Sequence, residues 1–402
     1  MTDRLYYSDS HLVSFEARVV NVTLRTSDWA TVTLDRTAFY PTGGGQPSDT
    51  GTLNDAHVVE CIDSEEAGVL HVIHGTAPKI GEEVTGRIDW DRRLDHIQQH
   101  TGQHLLSQAF IELFGAETCG FRMMSQASEI DIALDNPSEE RIDRVVELTN
   151  RIIWEDRPIH VRQVRSDEAA RLYLRKEPTR DGDVRLIEIE GFDLTPCGGT
   201  HALRTGEVGI VAVRHWERAK SMTRIEFVAG RRALCDYKAA NRILRDVAGH
   251  FSVARDDASA SVVHLFEDHK RLSRRVRELE EITARVEADD LINDAVLLSN
   301  GIRLVSRIFD DRDPDSLKRL AQALMVHSKT IALLGSGCEA SARLVFARST
   351  DVIGDMNVLV RDSCALLDGR GGGRSELAQG GGRLLDKLQD AIDNAAKKVC
   401  DQ

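Results

Sequence analysis

Two pairs of potential metal-binding side chains, set almost a hundred residues apart, constrain the folding of this chain more than any other feature. In DHIQQHTGQHLLSQAF (Asp95 to Phe110), His100 and His104 are four residues apart, so on a helix they share one face. In CGGTH, Cys197 and His201 repeat that spacing after Pro196 and around two glycines, which reads as a tight loop presenting a thiol. Three histidines and one cysteine suit a tetrahedral zinc ion, and such a clamp forces the two segments to meet. A lone HxxxH is more often a buried, hydrogen-bonded pair than a ligand set. The second pair, with a thiol that zinc would hold deprotonated, turns the reading toward metal. His96 extends the first motif to HxxxHxxxH and competes with His100, although Leu105 and Leu106 beyond His104 seat that end of the helix in a core.

A chain of 402 residues suggests two or three domains, and 41% hydrophobic content is enough for real cores. There is no uncharged apolar run of about 18 residues, and MTDRLYYSDSHLV lacks a basic start followed by an apolar stretch. A cytoplasmic location with no membrane span is the default expectation. The seven cysteines are scattered and odd in number, which argues for reduced thiols rather than a disulfide framework. A net charge of -13 gives no wholesale attraction to phosphate, so any contact with nucleic acid has to come from local patches.

Residues 1–90 read as β-rich. FEARVVNVTL, TVTLDRT, HVVECID, VLHVIHG and EVTGRIDW alternate apolar and polar positions between Gly and Asp breaks, as in a small barrel or sandwich. Inside this region FYPTGGGQPSDTG (Phe39 to Gly51) carries three consecutive glycines, which either let backbone approach a ligand or form a long turn, with Thr42, Gln46 and Asp49 around them. It lacks the Lys-Ser or Lys-Thr pair of a phosphate loop.

Residues 91–237 begin with the helix of the first pair. A strand at SEIDIAL, a helix over 138–154 capped by Ser138, strands at HVRQVR and VRLIEIEG, the CGGTH loop, and strands at VGIVAVRHW and MTRIEFVAG follow. This order predicts an α+β domain on a mostly antiparallel sheet. Residues 238–292 are helical and charged, with Leu265, Leu272, Leu279 and Val286 recurring every seven residues, which fits a helical hairpin or a dimerising coiled coil. Its KRLSRRVR stretch reads as a solvated face or a patch for RNA phosphates. Residues 293–402 read as an α/β unit with strands at GIRLVSRIF, TIALLGS, ARLVFARS and NVLVRD and a last helix from near Arg383. The glycine-rich DGRGGGRSELAQGGG before that helix, holding Arg370 and Arg374, reads as a phosphate-receiving loop or a flexible connector.

FYPTGGGQPSD, HTGQHLL and CGGTH, in that order, resemble the editing half of alanyl-tRNA synthetase and more closely its freestanding AlaX-type relatives, over roughly residues 1–235. The tail GGGRSELAQGGG resembles the domain associated with DHH phosphoesterases, so the resemblance covers most of the chain. It is similar, less well, to the editing domain of threonyl-tRNA synthetase. The resemblance implies a deacylase that hydrolyses tRNA(Ala) mischarged with serine or glycine. It makes His100, His104, Cys197 and His201 zinc ligands, in preference to His96, and turns Thr42 and Gln46 toward the aminoacyl group. No synthetase-like ATP module precedes the barrel, so amino-acid activation is not expected. Arg370 and Arg374 are the expected RNA contacts, and a homodimer through the helical region is a further expectation. Two competing classes remain: a zinc-stapled RNA-binding protein without turnover, and a metallohydrolase of small esters or amides.

Overall fold

The computed structural model describes residues 2–177, 182–338 and 341–401, in two compact units, 1–247 and 248–402. In the first unit, β1 (Asp3–Arg4) leads to β2 (Ser14–Leu24) and β3 (Trp29–Leu34), and a short β4 (Arg36–Thr37) pairs with β1. Then come β5 (Gly51–Leu53), β6 (Ala56–Ser64), β7 (Gly68–His74) and β8 (Glu83–Ile88). Six of these strands close a barrel in the order β2-β3-β7-β6-β5-β8. The alternation read from the sequence is what closure uses. Phe15, Ala17 and Val19 of β2 point inward, with Val32, Val58, Val69 and Ile73 from the other strands, to make one apolar interior. The GGG segment links β4 to β5.

Helix α1 (Trp90–Phe114) starts where Asp89 accepts from the Arg92 backbone N–H and stops at Gly115, which takes φ +60°. Most of its length is buried, polar residues included, so it is the axis of the unit rather than a surface helix. It packs on α2 (Glu139–Trp154), whose Ile142, Val145, Leu148, Ile152 and Ile153 form one buried face at helical spacing. Between and after these helices run β9 (Thr118–Met123), β10 (Ser128–Ile132), β11 (Ile159–Arg165), the one-turn α3 (Ser166–Ala169), β12 (Asp183–Ile189), β13 (Asp193–Pro196), β14 (Val211–Ala219) and β15 (Met222–Ala229). They form two antiparallel sheets, β14-β15-β10-β9 and β11-β12-β13, rather than one. Helix α4 (Gly230–Phe251) follows β15.

The second unit opens with α5 (Ala258–Asn293) and carries a six-stranded sheet, β16-β17-β18-β19-β21-β20. In chain order its elements are β16 (Val296–Leu297), β17 (Arg303–Asp310), α6 (Pro314–Leu324), β18 (Thr330–Cys338), β19 (Ser341–Arg348), α7 (Met356–Leu366), β20 (Gly369–Gly373), β21 (Leu377–Gly382) and α8 (Leu388–Cys400). The end of α5 and α6 cover one face through Ala288, Leu317, Leu320, Val345 and Ala347. Helices α7 and α8 cover the other through Val360, Cys364, Ile392 and Leu344.

Two sequence expectations give way here. NVLVRD is helix rather than strand: Asp355 caps Asn357 and Val358, and Met356, Leu359, Val360, Ser363 and Cys364 make a buried face at helical spacing. The glycine-rich tail is neither loop nor connector but the antiparallel hairpin β20–β21. Helix α7 lies so close that a Cβ on Gly371 would stand 2.5 Å from Val360 Cγ1 and 2.8 Å from Cys364 Sγ, so glycine is required for packing there.

Candidate metal centre and its cleft

Four side chains from two segments converge as the spacing predicts. His100, His104, Cys197 and His201 each offer one ligand atom, and these atoms all lie within 4.8 Å of one another. Cys197 Sγ is 3.4 Å from His100 Nε2 and 3.3 Å from His201 Nε2. The edges of a zinc tetrahedron built on bonds of about 2.0–2.3 Å come to roughly 3.3–3.7 Å, so both Cys197 distances match the spacing such an ion needs. His96 is buried but lies outside the cluster, beside Arg92, Asp49, Asp95 and Arg232; burial drives it down to about 4.

Each imidazole is held from behind. His100 Nδ1 is 2.7 Å from Gln46 Oε1, His104 Nδ1 is 3.3 Å from Asp193 Oδ2, and His201 Nδ1 is 3.3 Å from Thr101 Oγ1. Gln46 has its amide orientation settled by Thr200, whose backbone N–H donates to Oε1 while its hydroxyl accepts from Nε2. With Oε1 an acceptor, His100 carries its proton on Nδ1 and turns Nε2 to the cluster, the arrangement a metal-bound histidine needs. Asp193 is itself fixed by Arg175 Nε at 2.8 Å and by the Thr195 hydroxyl at 2.7 Å. Gly199 brings the CGGTH loop onto the ring, since a Cβ there would lie 2.1 Å from His100 Cε1.

Electrostatics follow from this crowding. Burial pushes the Cys197 thiol up, but the His100 and His201 imidazoles beside it outweigh burial and bring the thiol well below its usual value, toward thiolate. Burial lowers His201 to about 3. Burial lowers His104 as well, yet hydrogen bonds to Asp193 and Cys197 leave it raised. One thiol drawn toward thiolate and three imidazoles are the donor set zinc selects, so the residues present fit that group.

The barrel supplies the wall. The GGG segment folds into a tight turn in which Gly43 and Gln46 exchange backbone hydrogen bonds, with Gly44 and Gly45 at φ +57° and +82°. Gly45 also meets β9, where a Cβ would lie 2.6 Å from Phe121 O. Asp49 ties this loop to α1 through a wholly buried pair with Arg93, 3.1 Å from Nε, and accepts from Tyr40 N. A cleft of about 430 Å³ opens between this loop and the CGGTH loop, lined among others by Tyr7, Tyr40, Thr42, His100, Arg185 and Cys197.

Three family models match: tRNA synthetases class II (A) over residues 2–92, the threonyl and alanyl tRNA synthetase second additional domain over 184–226, and the DHHA1 domain over 301–401. The alanyl-tRNA editing protein AlaX-L of Pyrococcus horikoshii is 31% identical over 410 residues, spanning 99% of this chain and 98% of that protein. The chain belongs to the alanyl-tRNA editing protein family. The alanine–tRNA ligase of Natronomonas pharaonis is 34% identical across 98% of the chain, which spans 43% of that ligase. The C-Ala domain of Aquifex aeolicus alanyl-tRNA synthetase is 25% identical over 26% of the chain and 96% of that domain, at a TM-score of 0.25.

Family membership leaves single residues to their geometry. Thr42 is exposed on the cleft, and its Oγ1 accepts from Ser48 N at 3.1 Å, which leaves the hydroxyl proton to donate. Gln46 is buried beneath the cleft against His100. Arg370 and Arg374 are exposed at the hairpin of the second unit. Asp193, Arg175 and Arg93 lie outside the motifs, and Thr101 and Thr200 sit inside HTGQHLL and CGGTH with nothing to announce their roles, because the pairings that give these residues work span 18 to 154 residues of sequence. Among the described residues, no helix is long and apolar enough to cross a membrane.

Proposed function

We propose that this chain is an aminoacyl-tRNA deacylase that hydrolyses tRNA(Ala) mischarged with serine, and with glycine as the second candidate. The observation that carries this reading is the His3Cys cluster, whose His100 and Cys197 line an open cleft, in a chain matched end to end by an alanyl-tRNA editing protein. His100, His104, Cys197 and His201 would hold zinc, which when bound supplies a cation to orient the amino group and polarise the ester. The chain's own residues do the rest. Gln46, Asp193 and Thr101 fix the three rings, Gly199 lets the loop close on His100, and Thr42 offers its hydroxyl to the serine side chain. Alanine entering the same pocket would leave that hydroxyl unpaired, and an unmade hydrogen bond of this kind discriminates strongly.

Four protein donors also make up the set a purely structural zinc site uses, which favours binding without turnover as the second reading. The two part in a simple assay. Incubated with Ser-tRNA(Ala), the metal-loaded chain should release serine and lose that activity when stripped by a chelator. Retention of the ester by folded, loaded protein would establish the binding reading instead.

For the second unit the proposal is contact with the tRNA through Arg370 and Arg374. The proposed partner for α5 is a second copy of the chain, because Leu265, Leu272, Leu279 and Val286 are each about half exposed or more at heptad spacing. Sedimentation at micromolar concentration should give twice the chain mass, and a single-chain mass would remove the dimer.

A further inference from the structure

Arg185 lies on β12 with its guanidinium between Tyr7 and the CGGTH loop, both of which line the cleft. Nε donates to Tyr7 O at 3.0 Å, and Nη1 donates to Cys197 O at 2.7 Å and to Gly199 O at 3.0 Å. Nη2 is buried and makes no hydrogen bond among the described residues, and Arg185 forms no ion pair with a carboxylate among them. A buried donor left without a partner is unfavourable, more so when charged, so such a group in a built site calls for an absent acceptor. The residue lines the same cleft as His100, Cys197 and Thr42. The other arginine of that cleft, Arg4, is committed to Asp63.

We propose that Arg185 Nη2 donates to the carbonyl oxygen of the aminoacyl ester, which makes Arg185 a catalytic residue of the reaction. This rests on the deacylase reading. Water forms a bond from its oxygen to the carbonyl carbon, and the carbonyl π pair moves onto the oxygen that faces Nη2. When the pair returns, the bond to the ribose oxygen breaks. That oxygen takes the proton water gives up, leaving the free amino acid and a tRNA hydroxyl. Arg185 stays charged throughout, and its bonds to the Cys197 and Gly199 carbonyls set it beside the metal cluster, by the acyl end of the substrate rather than a phosphate. A donor fixed in advance by three hydrogen bonds stabilises charge as it develops.

The test is single-turnover deacylation of Ser-tRNA(Ala) by full-length, metal-loaded wild type, Arg185→Gln and Arg185→Lys, with metal content and thermal midpoint measured on each. Both variants are expected to hold metal. Arg185→Gln should lose about 10²–10³ in rate at saturating enzyme, with half-saturation little changed, and Arg185→Lys should recover part of the rate. A wild-type rate in either loaded variant would overturn the proposal. So would a loss confined to half-saturation, which would make Arg185 a contact to the nucleotide, or loss of metal from both variants, which would reduce it to a strut for the Cys197 loop. An inactive wild type would remove the deacylase reading and the proposal with it, without reference to any variant.

Discussion

His100, His104 and His201 each give Nδ1 to a separate partner, and Asp193 is the partner that carries charge. Burial opposes ionisation of Asp193, but its bonds to His104 and Arg175 hold the carboxyl far below the usual range. Asp193→Asn should therefore keep the fold while weakening zinc about 10–100-fold, read by competition with a chromogenic chelator; unchanged affinity would show that Asp193 only packs. Thr42 is tested by its own pair of variants. Thr42→Val should slow release of serine by tens-fold or more with an unchanged melting midpoint, whereas Thr42→Ser should keep the activity. Equal serine release by wild type and Thr42→Val would take Thr42 out of the pocket's chemistry. At this scale the sequence is legible where chemistry and local spacing coincide. The HxxxH and CGGTH pairs declare themselves because each is a single turn or loop. Gln46 reads as substrate-facing from its motif, but its buried place against His100 depends on Thr200, 154 residues away, and no local pattern encodes that.

Among the elements, the barrel strands are the most readable, because alternation is the direct consequence of one face pointing inward. Strand β7 adds a titratable group to that interior. His71 donates from Nδ1 to Val32 O at 3.0 Å and accepts from the Thr37 hydroxyl at 2.8 Å, so it is neutral in place, and burial lowers it from 6.5 to about 4. The unfolded chain then binds more protons between those values, and stability present above pH 6.5 is lost as pH falls toward 4. Between pH 7 and 4.5 wild type should lose about 2–3 kcal/mol more than His71→Gln, which keeps both hydrogen-bonding atoms without the charge. Urea midpoints at the two pH values measure it, and parallel losses would exclude His71. Helix α7 and the β20–β21 hairpin are the elements whose local sequence points elsewhere. NVLVRD is a short apolar run with two β-branched valines, which reads as a strand, and it shows its helical face only when Met356 and Cys364 are included. The glycines of the hairpin answer to α7 packing against them rather than to any signal of their own.

For the whole molecule, a net charge of -13 sets the problem of binding a polyanion, and local cations have to meet it. Replacing Arg370 and Arg374 together by alanine should weaken tRNA binding and flatten the logarithmic salt dependence by about 1.5–2; identical slopes would place the RNA elsewhere. As proposed above, a metal-holding cleft would remove the wrong amino acid from tRNA(Ala). The most direct measurement is hydrolysis of Ser-tRNA(Ala), Gly-tRNA(Ala) and Ala-tRNA(Ala) side by side, by full-length protein of known metal content. Serine, or glycine, should be lost rapidly with the alanyl ester left intact. Equal rates for all three esters would contradict selection in the cleft, and survival of all three in the presence of folded, metal-loaded protein would contradict the deacylase itself.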